Sequence, residues 1–429
     1  MALAEKRWGK ALTIGTAVVA ASLMATACSS SKSSGGGGSG GGNAGSRGPI
    51  TYVQGADTTG VIPIIAAGWN KDHPTEKVTV KQQSALADDQ HQDLVQNFQA
   101  KSSRYDVVSV DVIWTAEFAA KSWLQPLTGS LKLDTSQLLQ APVKAATYAG
   151  TLYAGPSSSD GGMLYYRKDL IKSPPAQFTW DDIKKICAQN LAKHCYVGQF
   201  AKYEGEVCNV AEWINAAGGA FLKDDGKTPN VDTPEAKTGL QALVDMFKAG
   251  YIPKVALGWQ ESQSLADMQA GNAVFMRNWP YAVSQLAKAP SKVIDKVGLA
   301  PLPGPSGTGA STLGGHNIAI SAFSKHKATA LDFIKYMESE ATQRVLIEKA
   351  SLAPIIASLY TDPTLVKNFP YLPVLLKSIQ TAVPRPVTPF YPAVSEAIQV
   401  NTYAALQGTK DVPTALSDLQ KALQVATGQ

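Results

Sequence analysis

The sequence predicts an α/β protein of two lobes with a ligand cleft between them. Three observations carry that prediction. Between residues 50 and 114, apolar strand-like runs alternate with helical periods, the signature of a parallel α/β sheet. From about residue 165 to 280 the pattern turns mostly helical, so a second lobe interrupts the first. Finally, 429 residues at 45% hydrophobic content are enough to fill two cores.

The first 27 residues stand outside that fold. Lys6, Arg7 and Lys10 form a positive segment, and "ALTIGTAVVAASLMATA" an apolar one too short and too rich in small residues to span a membrane comfortably. The run ends in "MATAC", with small residues immediately before Cys28. This looks like a lipidation signal, in which Cys28 receives diacylglycerol and becomes the new N-terminus. Ala25 stands where Leu is usual; the plain alternative is an ordinary signal peptide with an incidental cysteine. Residues 28–48 are a Gly/Ser tether with nothing to bury, and about 20 such residues reach about 25 Å on average. The leader therefore predicts an exported protein, lipid-anchored at the outer face of the membrane.

Strands are expected at 50–56, 77–83 and 105–114, separated by helices around 61–71 and 91–101. "YDVVSVDVIW" is a near-continuous apolar run, hence a strand buried on both faces. A strand at "GMLYYRK" and a helix at "TWDDIKKICA", capped by Thr179 with acids in its first turn, open the second lobe. Helices follow at 209–222, 233–250 and 264–272, stopped by glycines. "GHNIAIS" is a further strand, and the rest is helical apart from Pro-rich "AVPRPVTPFYP". The expected division is 49–160 with about 282–335 in the first lobe, and about 161–281 with about 336–429 in the second.

Composition narrows the function. Net charge is +5, three of the cations lie in the leader, and no basic run follows, so nucleic-acid binding is not expected. Three cysteines remain after Cys28. The exported compartment is oxidising, and the short loop between Cys187 and Cys195 makes them the first choice for a disulfide, with Cys208 free and buried. No His lies at ligand spacing from these cysteines, so no metal is expected, and no cofactor is expected either. The catalytic signatures GxSxG, HExxH and the P-loop are absent. Asp181 and Asp182 read as a charged first turn. A glycoside hydrolase built on two separated carboxylates stays open as the enzymatic alternative.

Binding residues are better represented. Sugars need flat aromatics for their C–H faces and planar polar groups for their hydroxyls. In "VFMRNWPYA", Pro280 ends a buried strand and leaves Trp279 either as the lid of a core or as a face for a flat ligand. Asp111 interrupts a buried strand near its end, where α/β sheets bind ligands; it is either a ligand group or a satisfied core acid. Asp160, Glu204 and Glu261 lie at the ends of expected elements. Gly314 and Gly315 allow close approach of backbone to a ligand, and His316 follows them. Arg385, held between Pro384 and Pro386, is either a surface charge or a rigidly presented bidentate group. Asp57 is a weaker candidate on the first strand–helix turn.

"YDVVSVDVIWTAEFAAKSWLQPL", "YAGPSSSDGGMLYYRKDL", "TWDDI", "QFAKYEG", "NAAGGAFL", "FMRNWPYA", "LGGHNIAIS" and "RPVTPFYPAVSEAIQ" occur in that order and span nearly all of residues 50–425. Together with the lipidation signal they resemble the extracellular sugar-binding lipoproteins of ABC importers, the large family that includes maltose-binding protein. The likeness is strongest to its trehalose- and maltose-type α-glucoside branch. The resemblance implies a periplasmic-binding-protein type II fold that closes on a sugar and performs no chemistry. It also implies a monomer that docks on a two-subunit permease driven by cytoplasmic ATPase subunits. Position by position, Asp111 and Asp160 would face the sugar from the first lobe, and Glu204 and Glu261 would hold hydroxyls from the second. Trp279 would stack on a pyranose ring, Gly314 and Gly315 would offer backbone groups, and Arg385 would clamp hydroxyls or the glycosidic region. His316 stands where many relatives carry Trp, which leaves the identity of the sugar open between α-linked disaccharides and other oligosaccharides.

Overall fold

A computed structural model describes residues 45–429. The leader, Cys28 and most of the tether lie outside the described residues. Thirteen strands are present among the described residues. They are β1 Ile50–Gln54, β2 Val78–Gln82, β3 Val107–Asp111, β4 Thr147–Tyr148, β5 Thr151–Leu152, β6 Ala154–Pro156, β7 Met163–Arg167, β8 His194–Val197, β9 Ala273–Asn278, β10 Val297–Pro301, β11 Ser311–Leu313, β12 His316–Ile320 and β13 Ala382–Pro384.

The first lobe is built on a five-stranded sheet in the order β2-β1-β3-β12-β6. β1 runs parallel to β2 and β3, whereas β12 is antiparallel to both β3 and β6. Every residue of β3 is buried, as a strand covered by helices on both faces requires. The two-residue side-chain period separates the two cores. Ile50, Tyr52 and Val107 enter the core shared with Leu331, Phe333 and Ile334, while Val53, Val108 and Val110 enter the core shared with Leu94, Phe98 and Phe118.

The second lobe carries a four-stranded sheet in the order β10-β7-β9-β8. Here β7 is antiparallel to its neighbours β10 and β9, and β8 is parallel to β9. Leu164 of β7 packs with Trp180, Trp213 and Phe247, and its neighbours Met163 and Tyr165 pack on the opposite side with Tyr360 and Tyr371. Strands β11 and β13 form a separate parallel pair. Cys187 and Cys195 are joined by a disulfide, and Cys208 is free and buried.

Two boundaries differ from the sequence division. The sequence division puts about 282–335 in the first lobe, yet β10 lies in the second sheet, because its pairing with β7 joins residues far apart in the chain. It puts residues from about 336 in the second lobe, yet the helix Glu340–Ala350 packs through Leu346 and Ala350 on the core of the first sheet. Two helices also begin earlier than expected, at Glu204 and Glu261. Each of these carboxylates therefore sits at the first residue of a helix. Among the described residues no helix is long and apolar enough to cross a membrane.

Candidate ligand-binding cleft

A cavity of about 370 Å³ opens between residues of the two sheets. All ten residues singled out from the sequence line it: Asp57, Asp111, Asp160, Glu204, Glu261, Trp279, Gly314, Gly315, His316 and Arg385. Tyr203, Tyr281, Gln54, Gln90 and Gln260 line it too and were not singled out.

Arg385 organises the floor. It follows β13 directly and is only 4% exposed. Its Nη2 donates to Asp111 Oδ1 at 2.8 Å and its Nη1 to Glu204 Oε1 at 2.7 Å, so one guanidinium ties the end of β3 to the start of a second-lobe helix. Such charge-assisted bonds are the strong ones. Glu204 also accepts from Tyr391 Oη and Ser395 Oγ, each at 2.5 Å. Burial pushes the Glu204 carboxyl above its ordinary range; Arg385 and the two hydroxyls oppose that, and Asp111 adds to it. Arg385 itself stays protonated, since burial is outweighed by Asp111, Glu204 and their neighbours. Its Nε is buried without a partner.

Trp279 forms the flat wall. It is half-buried just beyond β9. The fully buried Arg277 guanidinium lies 3.8 Å from the centre of its ring, within cation–π range. Arg277 in turn donates to Glu212 and, through Nη1, to Gln199 Oε1 at 2.9 Å. The indole edge rests against Gly314, where an added Cβ would come 2.7 Å from the ring. Indole Nε1 points to Glu261 Oε1 at 3.4 Å, and Tyr203 Oη donates to Glu261 Oε2 at 2.6 Å.

The Gly314–Gly315 segment differs from its expected role. The N–H and C=O of Gly314 both bond to the backbone of Asp160, and the carbonyl of Gly315 accepts from Val112. Gly314 thus contributes room for the indole rather than free backbone groups. Gly315 has φ +103°, and a Cβ there would collide with the Ser158 carbonyl. His316 pairs across the sheet with Asp111. Burial lowers its pKa, Asp111 opposes and Arg385 adds to the effect, so the imidazole is neutral near pH 7.

The remaining acids contrast. Asp57 accepts from the backbone N–H groups of Thr59, Gly60 and Ile62 and from the Thr59 hydroxyl, capping the helix Val61–Asp72. Burial raises its pKa, but these bonds outweigh burial and hold it below the ordinary range. Asp160 has no such support: its Oδ1 is shielded and unpartnered, and burial together with the nearby Asp111 charge pushes its pKa up to about 7 against the pull of Arg277.

Comparison with known proteins gives this architecture its place. Residues 54–344 match the family model of the bacterial extracellular solute-binding protein. A "Probable ABC transporter-binding protein" of Deinococcus radiodurans is 34% identical over 352 residues, 78% of this chain and 83% of that one. A "Mannitol-binding protein" of Pseudomonas aeruginosa is 27% identical, with 68% and 70% covered. Among solved structures, maltose-bound MalE3 of T. maritima superposes with a TM-score of 0.82 at 34% identity, over 88% of this chain and 99% of that one. The chain belongs to the bacterial extracellular solute-binding protein family. It is a two-lobed binding protein of the kind that serves ABC transporters, not an enzyme.

Proposed function

We propose that this protein captures an α-linked glucose disaccharide of the trehalose or maltose type and delivers it to an ABC permease with cytoplasmic ATPase subunits. The observation that carries the reading is the composition of one cavity wall: a half-buried indole beside five carboxylates and one guanidinium, drawn from both lobes. Its volume of about 370 Å³ falls within the range of about 300–1,000 Å³ usual for small-molecule sites. Trp279 stacks on a pyranose ring with the face that Arg277 leaves free. Glu261 and Asp160 accept sugar hydroxyls, and Asp111 does so with the oxygen that Arg385 does not use; Glu204, whose oxygens take Arg385, Tyr391 and Ser395, meets the sugar as part of that network. Closure follows from ligand binding, because only the closed form presents groups of both lobes to one sugar. The likeness of "DVIWTAEFA", "QFAKYEG" and "RPVTPFY" to the trehalose-binding lipoprotein LpqY and the maltose bound to the T. maritima relative both favour an α-glucoside. The anchor in this reading is lipid on Cys28, and the working form is a monomer.

A second ligand class, a different oligosaccharide or a polyol, is favoured by His316 in place of a stacking aromatic and by the mannitol-binding relative. Calorimetric titration of residues 48–429, stripped of bound ligand, with trehalose, maltose, sucrose, cellobiose and glucose decides between them. Tight one-to-one binding of one α-linked disaccharide, with glucose weak, is the expected result. Silence across the panel with binding of mannitol moves the protein to the polyol class. Turnover of any disaccharide would return the glycoside hydrolase.

A further inference from the structure

The cleft wall is short of positive charge. Among the described residues it carries five carboxylates and, apart from neutral His316, a single cationic side chain, Arg385. Four of the five are already matched within the protein. Asp57 takes the N–H groups of its own helix start, Asp111 and Glu204 share Arg385, and Glu261 takes Tyr203 and the indole N–H. Asp160 is the exception. It lines the cavity, its Oδ1 is shielded from solvent with no hydrogen-bond partner, and it lies in the field of Asp111. The opposing charge that acts on it, Arg277, is committed to Glu212 and Gln199.

Asp160 is half-buried, and a carboxylate with one oxygen shielded and unpartnered is costly unless it is protonated or its ligand compensates it. A sugar hydroxyl supplies one hydrogen bond and no charge. An ammonium supplies three donors and the missing charge, and its bond to a carboxylate is charge-assisted. Resting on the disaccharide reading above, we infer that the preferred ligand is an aminated α-disaccharide in which one hydroxyl is replaced by a protonated amino group seated against Asp160.

The test is calorimetric titration with trehalose and maltose, with the derivatives of each bearing one amino group at successive ring positions, and with the N-acetylated form of each derivative. Titrations are run where the amine is protonated. One regioisomer should bind at least tenfold more tightly than its parent, and N-acetylation, which removes the charge, should abolish the gain. In Asp160→Asn the ratio of amine to parent affinity should fall to one or below, whatever becomes of the parent's own affinity; near-UV circular dichroism establishes that the variant is folded. A wild-type protein that binds the parent sugar but prefers none of the amines overturns this inference and leaves the disaccharide reading standing. A preference that persists in Asp160→Asn overturns it as well. No binding of parent or amine sinks both.

Discussion

Replacing Arg385 with alanine is the most informative perturbation of the cleft. The guanidinium is 4% exposed and bonds Asp111 and Glu204 at 2.8 and 2.7 Å. Its removal leaves two largely buried carboxylates without their shared cation. Breaking a buried pair from one side costs about 3–5 kcal/mol, because the abandoned charge stays desolvated. Glu204 keeps Tyr391 and Ser395 and so retains part of its support, whereas Asp111 keeps only the N–H of Ile113 at 3.3 Å. The expected loss is therefore at the lower end, about 3 kcal/mol, in urea unfolding at neutral pH. The pH dependence separates charge from packing. Burial already raises the Glu204 pKa and Arg385 is the main charge opposing it, so in the variant its folded pKa lies further above its unfolded one; the missing stability returns as pH falls and Glu204 takes up a proton, and it is fully lost above the folded value. Because the bridge joins the two lobes, solution scattering should also show a larger radius of gyration for the ligand-free variant. Arg385→Lys should rescue little, since one ammonium cannot fork between two carboxylates. A variant within about 1 kcal/mol of the wild type, with an unchanged radius and a flat pH profile, would refute the argument that this ion triad holds the lobes together.

Three further outcomes are expected. Trp279→Ala should lower sugar affinity about thirtyfold if a pyranose face covers about 80 Å² of indole at about 25 cal/mol per Å², roughly 2 kcal/mol, with circular dichroism unchanged; unaltered affinity makes the ring a bystander. Arg277→Ala should destabilise by about 3–5 kcal/mol by stranding buried Glu212, and Arg277→Ala combined with Glu212→Gln should recover part of that loss; a double variant no better than the single one removes charge as the cause. Glu338 is buried in the first lobe, its Oε1 has no partner, and burial raises its pKa from 4.5 to about 8. The fold favours its neutral form, so its contribution is fully present below about pH 4.5 and is lost as pH rises through about 8. Melting temperatures between pH 5 and 9 should thus fall more steeply for the wild type than for Glu338→Gln, and parallel profiles would exclude Glu338 as the source.

Much of the fold was legible because burial leaves a local trace. The run around Val107–Asp111 is near-continuously apolar and Ala273–Met276 is wholly so, without the alternation of a strand with one wet face, as a strand covered on both faces requires. Lobe membership leaves no such trace. β10 belongs to the second sheet only through its pairing with β7, and β13 is three residues ending in Pro384, too short to carry a period. The starts at Glu204 and Glu261 were missed for a related reason. Tyr203 provides no side-chain cap, and Gln260 is not a usual capping residue, so the usual N-terminal signal is missing from both.

The site divides along the same line. Carboxylates at strand and helix ends stand out in a sequence because nothing local explains them, and all of those singled out reach one cavity. Asp57 is the instructive case: its partners Thr59, Gly60 and Ile62 all lie within five residues, so its capping bonds have a local origin. Partner count across the fold is a different quantity. In sequence Asp111, Asp160, Glu204 and Glu261 are equivalent acids at element ends. Only the approach of chain segments separated by up to 274 positions shows that three of them are matched, by Arg385, Tyr203 and Trp279. Asp160 remains unmatched because Arg277, the cation whose charge acts on it, is spent on Glu212 beneath the indole. A proton or a ligand group can relieve that one position, and this asymmetry, rather than the shared acidity of the wall, distinguishes Asp160 from the other acids of the cleft.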